Sequence, residues 1–194
     1  MTDGTNPDNA NPDNANPGKA TGVVLVGPPG AGKSSVGKRL ASQLGVPFAD
    51  TDDLVARAAG KPVGDIFVED GELVFRELER VAVQQGLDAV APDGGVLALG
   101  SGAVLDDRVG RLLDGLPVVY LSADFGTVAR RIGFERPRVV IPGNPRGRLR
   151  AMLDERDPIY ARLATIAVPT DDLDPDELAD RIAAEVTQKW VPQQ

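Results

Sequence analysis

The sequence contains no cysteine and no histidine. Without cysteine the chain can form no disulfide, no thiolate zinc site and no cysteine nucleophile. Without histidine, Ser-His-Asp hydrolases, histidine-ligated metals and imidazole acid–base chemistry are excluded as well. Any catalysis therefore depends on carboxylates, lysine, arginine, hydroxyl groups, backbone amides or a hard metal ion.

Long apolar runs are also missing, since none approaches the roughly 20 residues that a membrane-spanning helix needs. The N-terminus has neither the basic start nor the apolar stretch of a secretory signal, which predicts a cytoplasmic protein without a membrane partner. The net charge is 21 − 29 = −8, and an acidic chain is a poor candidate for nucleic-acid binding because phosphate neutralisation needs clustered cations. With 194 residues, 42% of them hydrophobic, we expect one folded domain, or one domain plus a tail. We also expect the protein to be a monomer.

The first 19 residues differ in composition from the rest. Residues 6–17 read NPDNANPDNANP, a five-residue repeat without Val, Ile, Leu or an aromatic residue. Asn-Pro steps disfavour helix, and such a segment has little to bury. This composition predicts a disordered tail over residues 1–19 and a folded domain over residues 20–194.

Short apolar runs alternate with amphipathic stretches through the remainder. The apolar runs predict strands over residues 22–26, 46–49, 95–99, 116–121 and 166–168. Helical periodicity predicts helices over residues 33–44, 52–59, 63–68, 72–85, 106–113, 124–131, 147–163 and 175–189. Continuous apolar strands alternating with helices predict an α/β fold, a three-layer sandwich in which helices cover both faces of a five-stranded parallel sheet.

Residues 27–34, GPPGAGKS, match the phosphate-loop pattern G-x-x-x-x-G-K-S/T, between a predicted strand and a predicted helix. Glycines let the backbone form a nest of N–H donors, and the helix directs its positive end at the phosphates. Lys33 can then reach the β- and γ-phosphates, and the Ser34 hydroxyl can bind Mg²⁺. The predicted ATP-binding residues of this segment are Gly30, Ala31, Gly32, Lys33, Ser34 and Ser35.

A phosphate loop alone does not distinguish kinases from GTPases, motors or transporter ATPases. The chain has no Asn-Lys-x-Asp base reader and no Leu-Ser-Gly-Gly signature, which argues against GTPases and transporter ATPases. The third strand ends in Leu99 and Gly100 without an acidic residue, whereas the second strand runs into DTDD at residues 50–53. This arrangement favours a small-molecule kinase.

Asp50 and Asp52 lie two residues apart at the end of a predicted strand, where open α/β sheets bind ligands. We expect the two carboxylates to point to opposite sides, so that one faces Mg²⁺ and the other faces an acceptor hydroxyl. The alternative is that an acid of this segment caps the following helix.

Arginine is concentrated late in the chain, with nine of the sixteen arginines between residues 126 and 162. Residues 133–148 hold four of them with three prolines and three glycines, which predicts an Arg-rich lid, the alternative being a solvated loop. Arg76 and Arg156 are harder to interpret. Arg76 can pair with Glu79 on its own helix, and Arg156 can be surface charge, unless the acceptor carries a carboxylate that the two arginines clamp.

Six ordered segments together resemble the shikimate kinase family. They are GPPGAGKSS at residues 27–35, DTD at 50–52, IFVEDGELVFRELE at 66–79, GSG at 100–102, ERP at 135–137 and ERDPIYARLA at 155–164. The resemblance runs from about residue 23 to residue 182. The two segments that contain Arg76 and Arg156 are its most specific parts among small phosphate-loop kinases.

The resemblance implies ATP-dependent phosphorylation of the 3-hydroxyl of shikimate, in the chorismate branch of aromatic amino-acid synthesis. By position, Asp52 would hold the acceptor hydroxyl and act as its base or orienter, and Asp50 would hold Mg²⁺ together with Ser34. Shikimate would be bound by Asp52, Arg76, Gly100, Ser101, Gly102 and Arg156. Arg131 and Pro175 would flank adenine, and Arg136 would be the lid arginine that meets the phosphates beside Lys33.

Two positions depart from the family pattern. Ser101 stands where the family usually has the second of three glycines, and Arg138 stands where an apolar residue usually follows Arg-Pro. Two other hypotheses remain: a related carbohydrate-acid kinase such as gluconate kinase, and a nucleotide-binding module that has lost catalysis. Gluconate kinases lack the Phe-Arg-x-x-Glu segment in this context. A module without catalysis would be expected to have lost Lys33, Asp52 or Arg136, and all three are present.

Overall fold

The computed structural model describes residues 22–91, 94–133 and 144–190. The predicted tail and the central part of the predicted lid, including Arg136 and Arg138, lie outside the described residues. Within the described ranges, no helix combines the length and the apolar character that crossing a membrane requires.

Five strands form one parallel sheet in the order β2-β3-β1-β4-β5. The predicted five-stranded parallel sheet is therefore confirmed. The strands are β1 (Val23–Val26), β2 (Phe48–Asp50), β3 (Val96–Ala98), β4 (Val118–Ser122) and β5 (Ile166–Pro169).

Helices connect the strands, and a short 3-10 helix (Ala103–Leu105) follows β3. The helices are α1 (Lys33–Leu44), α2 (Thr51–Ala59), α3 (Val63–Glu69), α4 (Glu72–Val90), α5 (Asp107–Leu112), α6 (Phe125–Arg131), α7 (Pro145–Leu163) and α8 (Pro175–Trp190).

Successive side chains of a strand point to opposite sides, and helices pack against both faces of the sheet. Val23 and Leu25 of β1 pack against α1 and α8 on one face. Val24 and Val26 pack on the other face, against α4, α5 and α7. This arrangement is the predicted three-layer sandwich.

The strand order places the carboxyl ends of β1, β2 and β3 side by side, with Asp50 opposite Ala98 in the register of β2 and β3. The segments that follow these strands are the phosphate loop, the DTDD segment and the GSG segment. Helices α2, α3 and α4 form a small separate core around Val55, Ile66 and Phe75 beside this edge. The topology thus brings together the motifs that the sequence separates by up to 75 residues.

Several element boundaries differ from the predictions. Helix α4 continues to Val90, five residues beyond the expected end, because Gly86 does not interrupt it but packs closely on Leu97. Helix α7 begins at Pro145 rather than at residue 147, since proline suits a first turn and the Asn144 side chain accepts a hydrogen bond from the Gly147 N–H. The last residues of the predicted lid are therefore helical. The 3-10 helix after β3 was not predicted.

Candidate active site

The phosphate loop places the N-terminus of α1 at the carboxyl edge of the sheet, and no side chain caps that N-terminus. Gly32 precedes α1 with a φ of 93°, a backbone conformation that residues other than glycine rarely adopt. As a glycine it offers no side-chain acceptor, so the first N–H groups of α1 remain for an anionic ligand. The local geometry is that of an anion cradle.

Lys33 folds back over this loop. Its ammonium Nζ donates hydrogen bonds to the carbonyl oxygens of Gly27 at 2.9 Å and Pro28 at 3.0 Å. Although part of the residue is accessible, burial of the ammonium group lowers the pKa of Lys33 to about 8, and the nearby Asp52 and Asp50 oppose that shift only in part. The negative charge around Lys33 therefore does not fully compensate for the burial of its ammonium group, and an anionic ligand would stabilise the protonated form.

Asp50 connects the phosphate loop to α2. Its Oδ2 accepts a hydrogen bond from the Ser34 hydroxyl at 2.6 Å, and its Oδ1 accepts the backbone N–H of Asp52 at 2.9 Å. The second bond is a helix N-cap, so the capping alternative applies to Asp50. The expectation that Asp50 and Asp52 point to opposite sides is wrong. Residues two apart on a strand share a face, and the chain here already enters α2 at Thr51. Both acids instead line one cleft.

That cleft has a volume of about 330 Å³ and is lined by Lys33, Ser34, Asp50, Asp52 and Ser101 among others. The Asp52 residue is exposed to the cleft, but its carboxylate lies against the backbone of Gly100, where a Cβ would stand 2.7 Å from Oδ1. Partial burial and, after it, the charge of Asp50 raise the pKa of Asp52 above its usual range, and Lys33 opposes the shift. The glycine at position 100 is thus a requirement for this approach.

Thr51 fixes the position of that glycine. The Thr51 side chain is fully buried, and its Oγ1 accepts the backbone N–H of Gly100 at 2.7 Å. Sequence reasoning missed this role. The only available signal was a small hydroxyl residue between the two acids, a pattern that is equally common in helix caps.

Arg76 lies across the GSG segment from Asp52, in a second cleft of about 320 Å³ that Gly102 also lines. Its Nη1 is 2.7 Å from Oε2 of Glu79, a buried carboxylate, and its Nη2 is 3.2 Å from Glu72. Burial raises the pKa of Glu79, and Arg76 opposes that shift. The predicted pairing with Glu79 is therefore present, and it holds the guanidinium at the cleft.

Arg156 approaches the same segment from α7. Its Nη1 donates to the carbonyl oxygen of Ser101 at 3.4 Å, and Tyr160 donates its hydroxyl to the same oxygen at 2.6 Å. The Nε of Arg156 is buried and has no hydrogen-bond partner in the described part of the chain. A buried donor is normally paired, and a bound water or a ligand atom would provide the acceptor here. Neither the burial of this atom nor the role of Tyr160 could be foreseen from the sequence.

The remaining predicted residues are more widely spread. Arg131 donates to Thr170, to Oγ1 at 2.9 Å and to the carbonyl oxygen at 2.6 Å, and it also reaches the Gly30 carbonyl oxygen at 3.3 Å. It therefore adjoins the phosphate loop. Pro175 begins α8 and takes no part in these bonds. Arg136 lies outside the described residues.

A residue set suited to Mg²⁺ lies where Ser34 meets Asp50. A hydroxyl and a carboxylate are hard oxygen donors, and Mg²⁺ commonly takes one or two protein ligands while phosphates and waters complete its shell. Among the described residues, no three acidic side chains converge as an all-protein metal site would require. The donor set therefore fits an ion that arrives with a phosphorylated ligand.

Comparison with known proteins identifies the family of the chain. The family model described as "Shikimate kinase" matches residues 29–187. The chain belongs to the shikimate kinase family. The shikimate kinases of Thermobifida fusca and Saccharopolyspora erythraea are each 50% identical to the chain, over 163 and 165 residues respectively, and each match covers 84% of the chain and 93% of the relative.

Solved structures agree with the family assignment. The shikimate kinase of Acinetobacter baumannii, in complex with shikimate, superposes with a TM-score of 0.78 at 32% identity, and the match covers 89% of the chain and 96% of that protein. A gluconokinase from Sinorhizobium meliloti superposes with a TM-score of 0.56 at 18% identity, which shows a shared fold alone. The carbohydrate-acid kinase hypothesis therefore has the weaker support.

Proposed function

We propose that the chain transfers the γ-phosphoryl group of ATP to the 3-hydroxyl of shikimate, giving shikimate 3-phosphate and ADP within the biosynthesis of aromatic amino acids. The observation that carries the proposal is the pair Arg76 and Arg156, which flank the GSG segment beside Asp52 and the phosphate loop. Two guanidinium groups provide the charged fork that a carboxylate needs, and shikimate is a carboxylic acid.

On the nucleotide side, the N–H groups of residues 30–35 would hold the phosphates, and Lys33 would neutralise charge between the β- and γ-phosphates. Binding ATP requires Lys33 to exchange its bonds with Gly27 and Pro28 for phosphate oxygens. Arg131 and Pro175 would flank adenine, an assignment that the position of Arg131 next to Gly30 supports. The guanidinium of Arg136, in the predicted lid, would stabilise the negative charge on the phosphoryl group as it is transferred.

Mg²⁺ would bind at Ser34 directly and at Asp50 directly or through water, where the two side chains already share a hydrogen bond. When bound, the ion neutralises charge on the β- and γ-phosphates. Asp50 would keep its bond to the Asp52 N–H, since each carboxylate oxygen has its own partner. Asp50 would in this way help to hold Mg²⁺ through one oxygen and position Asp52, which binds the acceptor, through the other.

Catalysis would consist mainly of alignment. Phosphoryl transfer has a loose transition state in most analyses, so positioning matters more than base strength. Asp52 would accept a hydrogen bond from the 3-hydroxyl, direct its oxygen at the γ-phosphorus and take the proton as the new P–O bond forms. Arg76, Arg156 and the backbone of Gly100, Ser101 and Gly102 would fix the rest of the acceptor.

The proposed function is tested by coupled ADP release with a panel of hydroxy acids that includes shikimate, quinate and gluconate. We expect turnover that depends on shikimate, together with a product whose mass exceeds that of shikimate by one phosphoryl group. Turnover with gluconate alone would favour the carbohydrate-acid kinase. Tight nucleotide binding without turnover of any acceptor would favour the module without catalysis.

Loss of one arginine should separate acceptor binding from nucleotide binding. Arg76→Ala and Arg156→Ala are each expected to raise the KM for shikimate by about 10- to 100-fold, because a charge-assisted hydrogen bond to the carboxylate is lost. The KM for ATP should change less than about twofold. Arg162→Ala, at the exposed end of the same helix as Arg156, is the control. Equal damage to both KM values would indicate folding damage or, for Arg76, a purely structural ion pair with Glu79.

The lowered pKa of Lys33 predicts how nucleotide affinity depends on pH. Phosphates prefer the protonated lysine, and free Lys33 loses its proton as the pH rises past about 8. Affinity for ADP should therefore be constant at lower pH and fall above pH 8, approaching tenfold per pH unit, as proton linkage requires. Calorimetric titration between pH 7 and pH 9.5 measures this. Lys33→Arg should give a flat profile, and a flat profile in the unmodified protein would contradict the assignment.

We further propose that the chain works as a monomer in the cytoplasm, where ATP is available, and that it needs neither nucleic acid nor membrane. The acidic balance of the chain supports the absence of a nucleic-acid partner. Sedimentation at micromolar concentration tests the monomer.

A further inference from the structure

Two side chains of α7 bind one backbone oxygen of the acceptor loop. Tyr160 and Arg156 are four residues apart and therefore share one face of the helix. The Tyr160 hydroxyl donates to the Ser101 carbonyl oxygen at 2.6 Å, whereas Arg156 Nη1 donates to it at 3.4 Å. The short bond belongs to the neutral tyrosine, which is not one of the residues assigned to the acceptor above.

The Tyr160 ring is held rigidly. It is 1% exposed, and it stacks on Tyr120 of β4 with ring centroids 5.3 Å apart and planes inclined by 29°. The Tyr120 hydroxyl in turn donates to the Asp157 carboxylate. Burial raises the pKa of Tyr160 to about 12, so its hydroxyl keeps its proton throughout the working pH range. Tyr160 is thus a fixed donor.

The oxygen that Tyr160 holds belongs to the peptide between Ser101 and Gly102. A Cβ at Gly102 would collide with the guanidinium of Arg76, and Gly100 on the other side lies against Asp52 and Glu79. Rotation of this peptide would therefore move the backbone against Arg76 and remove the acceptor that Arg156 uses. The carbonyl of Ser101 sets the spacing between the two arginines.

We propose that Tyr160 is a positioning residue for the acceptor: its hydroxyl fixes the Ser101 carbonyl and, through it, the separation of Arg76 and Arg156 that a carboxylate ligand must match. The inference rests on the proposed function for the identity of that ligand. The loop geometry itself does not depend on it. Within the described residues, the Tyr160 hydroxyl donates to the Ser101 carbonyl oxygen and to no residue of the phosphate loop, so we expect its effect to fall on the acceptor.

Tyr160→Phe removes the hydroxyl and keeps the stacked ring. We expect the KM for shikimate to rise about 5- to 10-fold, the usual worth of one neutral hydrogen bond, with kcat and the KM for ATP changed less than about twofold. Tyr120→Phe is the matched control, since it removes a hydroxyl from the partner ring whose acceptor is Asp157. In an Arg156→Ala background, Tyr160→Phe should have a clearly smaller effect on that KM. Equal effects of the two phenylalanine variants, or full additivity with Arg156→Ala, would overturn the proposal.

Amide hydrogen exchange of the peptide covering residues 99–105 gives a readout that needs no acceptor. Tyr160→Phe should speed exchange in this peptide and Tyr120→Phe should not. Unchanged exchange would overturn the positioning role even if shikimate is the substrate. If the unmodified chain does not phosphorylate shikimate while exchange responds as expected, the proposed function fails and the loop-fixing role of Tyr160 stands.

Discussion

Lys33→Ala is expected to remove phosphoryl transfer, with kcat falling by at least about 10²- to 10³-fold, the usual cost of losing one preorganised donor to developing charge. The lysine is the one cation that the structure places within the phosphate loop itself, bonded to the carbonyl oxygens of Gly27 and Pro28. Those bonds hold the ammonium over the loop before nucleotide binds, and we expect it to exchange them for oxygens of the β- and γ-phosphates, where charge accumulates. Single-turnover measurement at saturating ATP and acceptor separates this loss from weaker binding.

The unfolding temperature distinguishes a chemical role from a structural one. Because the pKa of Lys33 is lowered, burial of its charge opposes folding at neutral pH, and Lys33→Ala should leave Tm equal or higher. Lys38→Ala is the matched control, since Lys38 lies on the exposed side of the same helix. Near-normal turnover in Lys33→Ala would contradict the assignment of the phosphate loop.

The second large effect is expected for Asp52→Asn, which keeps size and a hydrogen-bond acceptor but removes the charge. If Asp52 aligns the attacking hydroxyl and accepts its proton, kcat should fall by roughly 10²-fold or more, in line with general-base contributions. Stability should be nearly kept, because the helix cap of α2 is Asp50 and not Asp52. The raised pKa of Asp52 also predicts an acidic limb of kcat/KM above the usual aspartate range.

Two neighbours of Asp52 supply the comparison. Asp53→Asn changes an exposed acid in the same first turn and should retain activity. Asp50→Asn keeps the cap, because asparagine caps a helix about as well as aspartate does, but it weakens the metal side. Added Mg²⁺ should therefore restore activity to the Asp50 variant and not to the Asp52 variant. Full activity of Asp52→Asn would reject its catalytic role.

The fold could be predicted because its signals are local. The central strands β1 and β3 are short continuous apolar runs, as a sheet covered on both faces requires, and the glycines of the phosphate loop mark the turn between β1 and α1. The chain order of strands and helices then leaves few topologies. The ends of helices were less predictable. Helix α4 continues through Gly86, where the close packing of Leu97 from strand β3 suits a residue without a side chain, and the local sequence does not show this contact.

The geometry of the site depended on contacts between distant segments. The direction of Asp50 and Asp52 was mispredicted because residues two apart on a strand share a face, and because α2 already begins at Thr51 between them. The hydrogen bond from the Gly100 N–H to Thr51 and the one from Arg156 to Ser101 join residues 49 and 55 positions apart in the chain, and no periodicity of the sequence indicates them. Sequence alone could name the charged residues but not the backbone that spaces them.

The stacked pair formed by Tyr120 and Tyr160 has a practical consequence for spectroscopy. These are the chain's only two tyrosines, and one of them touches the acceptor loop. A tyrosine signal therefore reports on this single location without any engineered label. In a sample with isotope-labelled tyrosine, two sets of ring resonances should appear, one for each tyrosine, and titration with an acceptor should shift the set of Tyr160 more than that of Tyr120. The same protein can thus serve as its own sensor in screens for ligands that occupy the acceptor pocket.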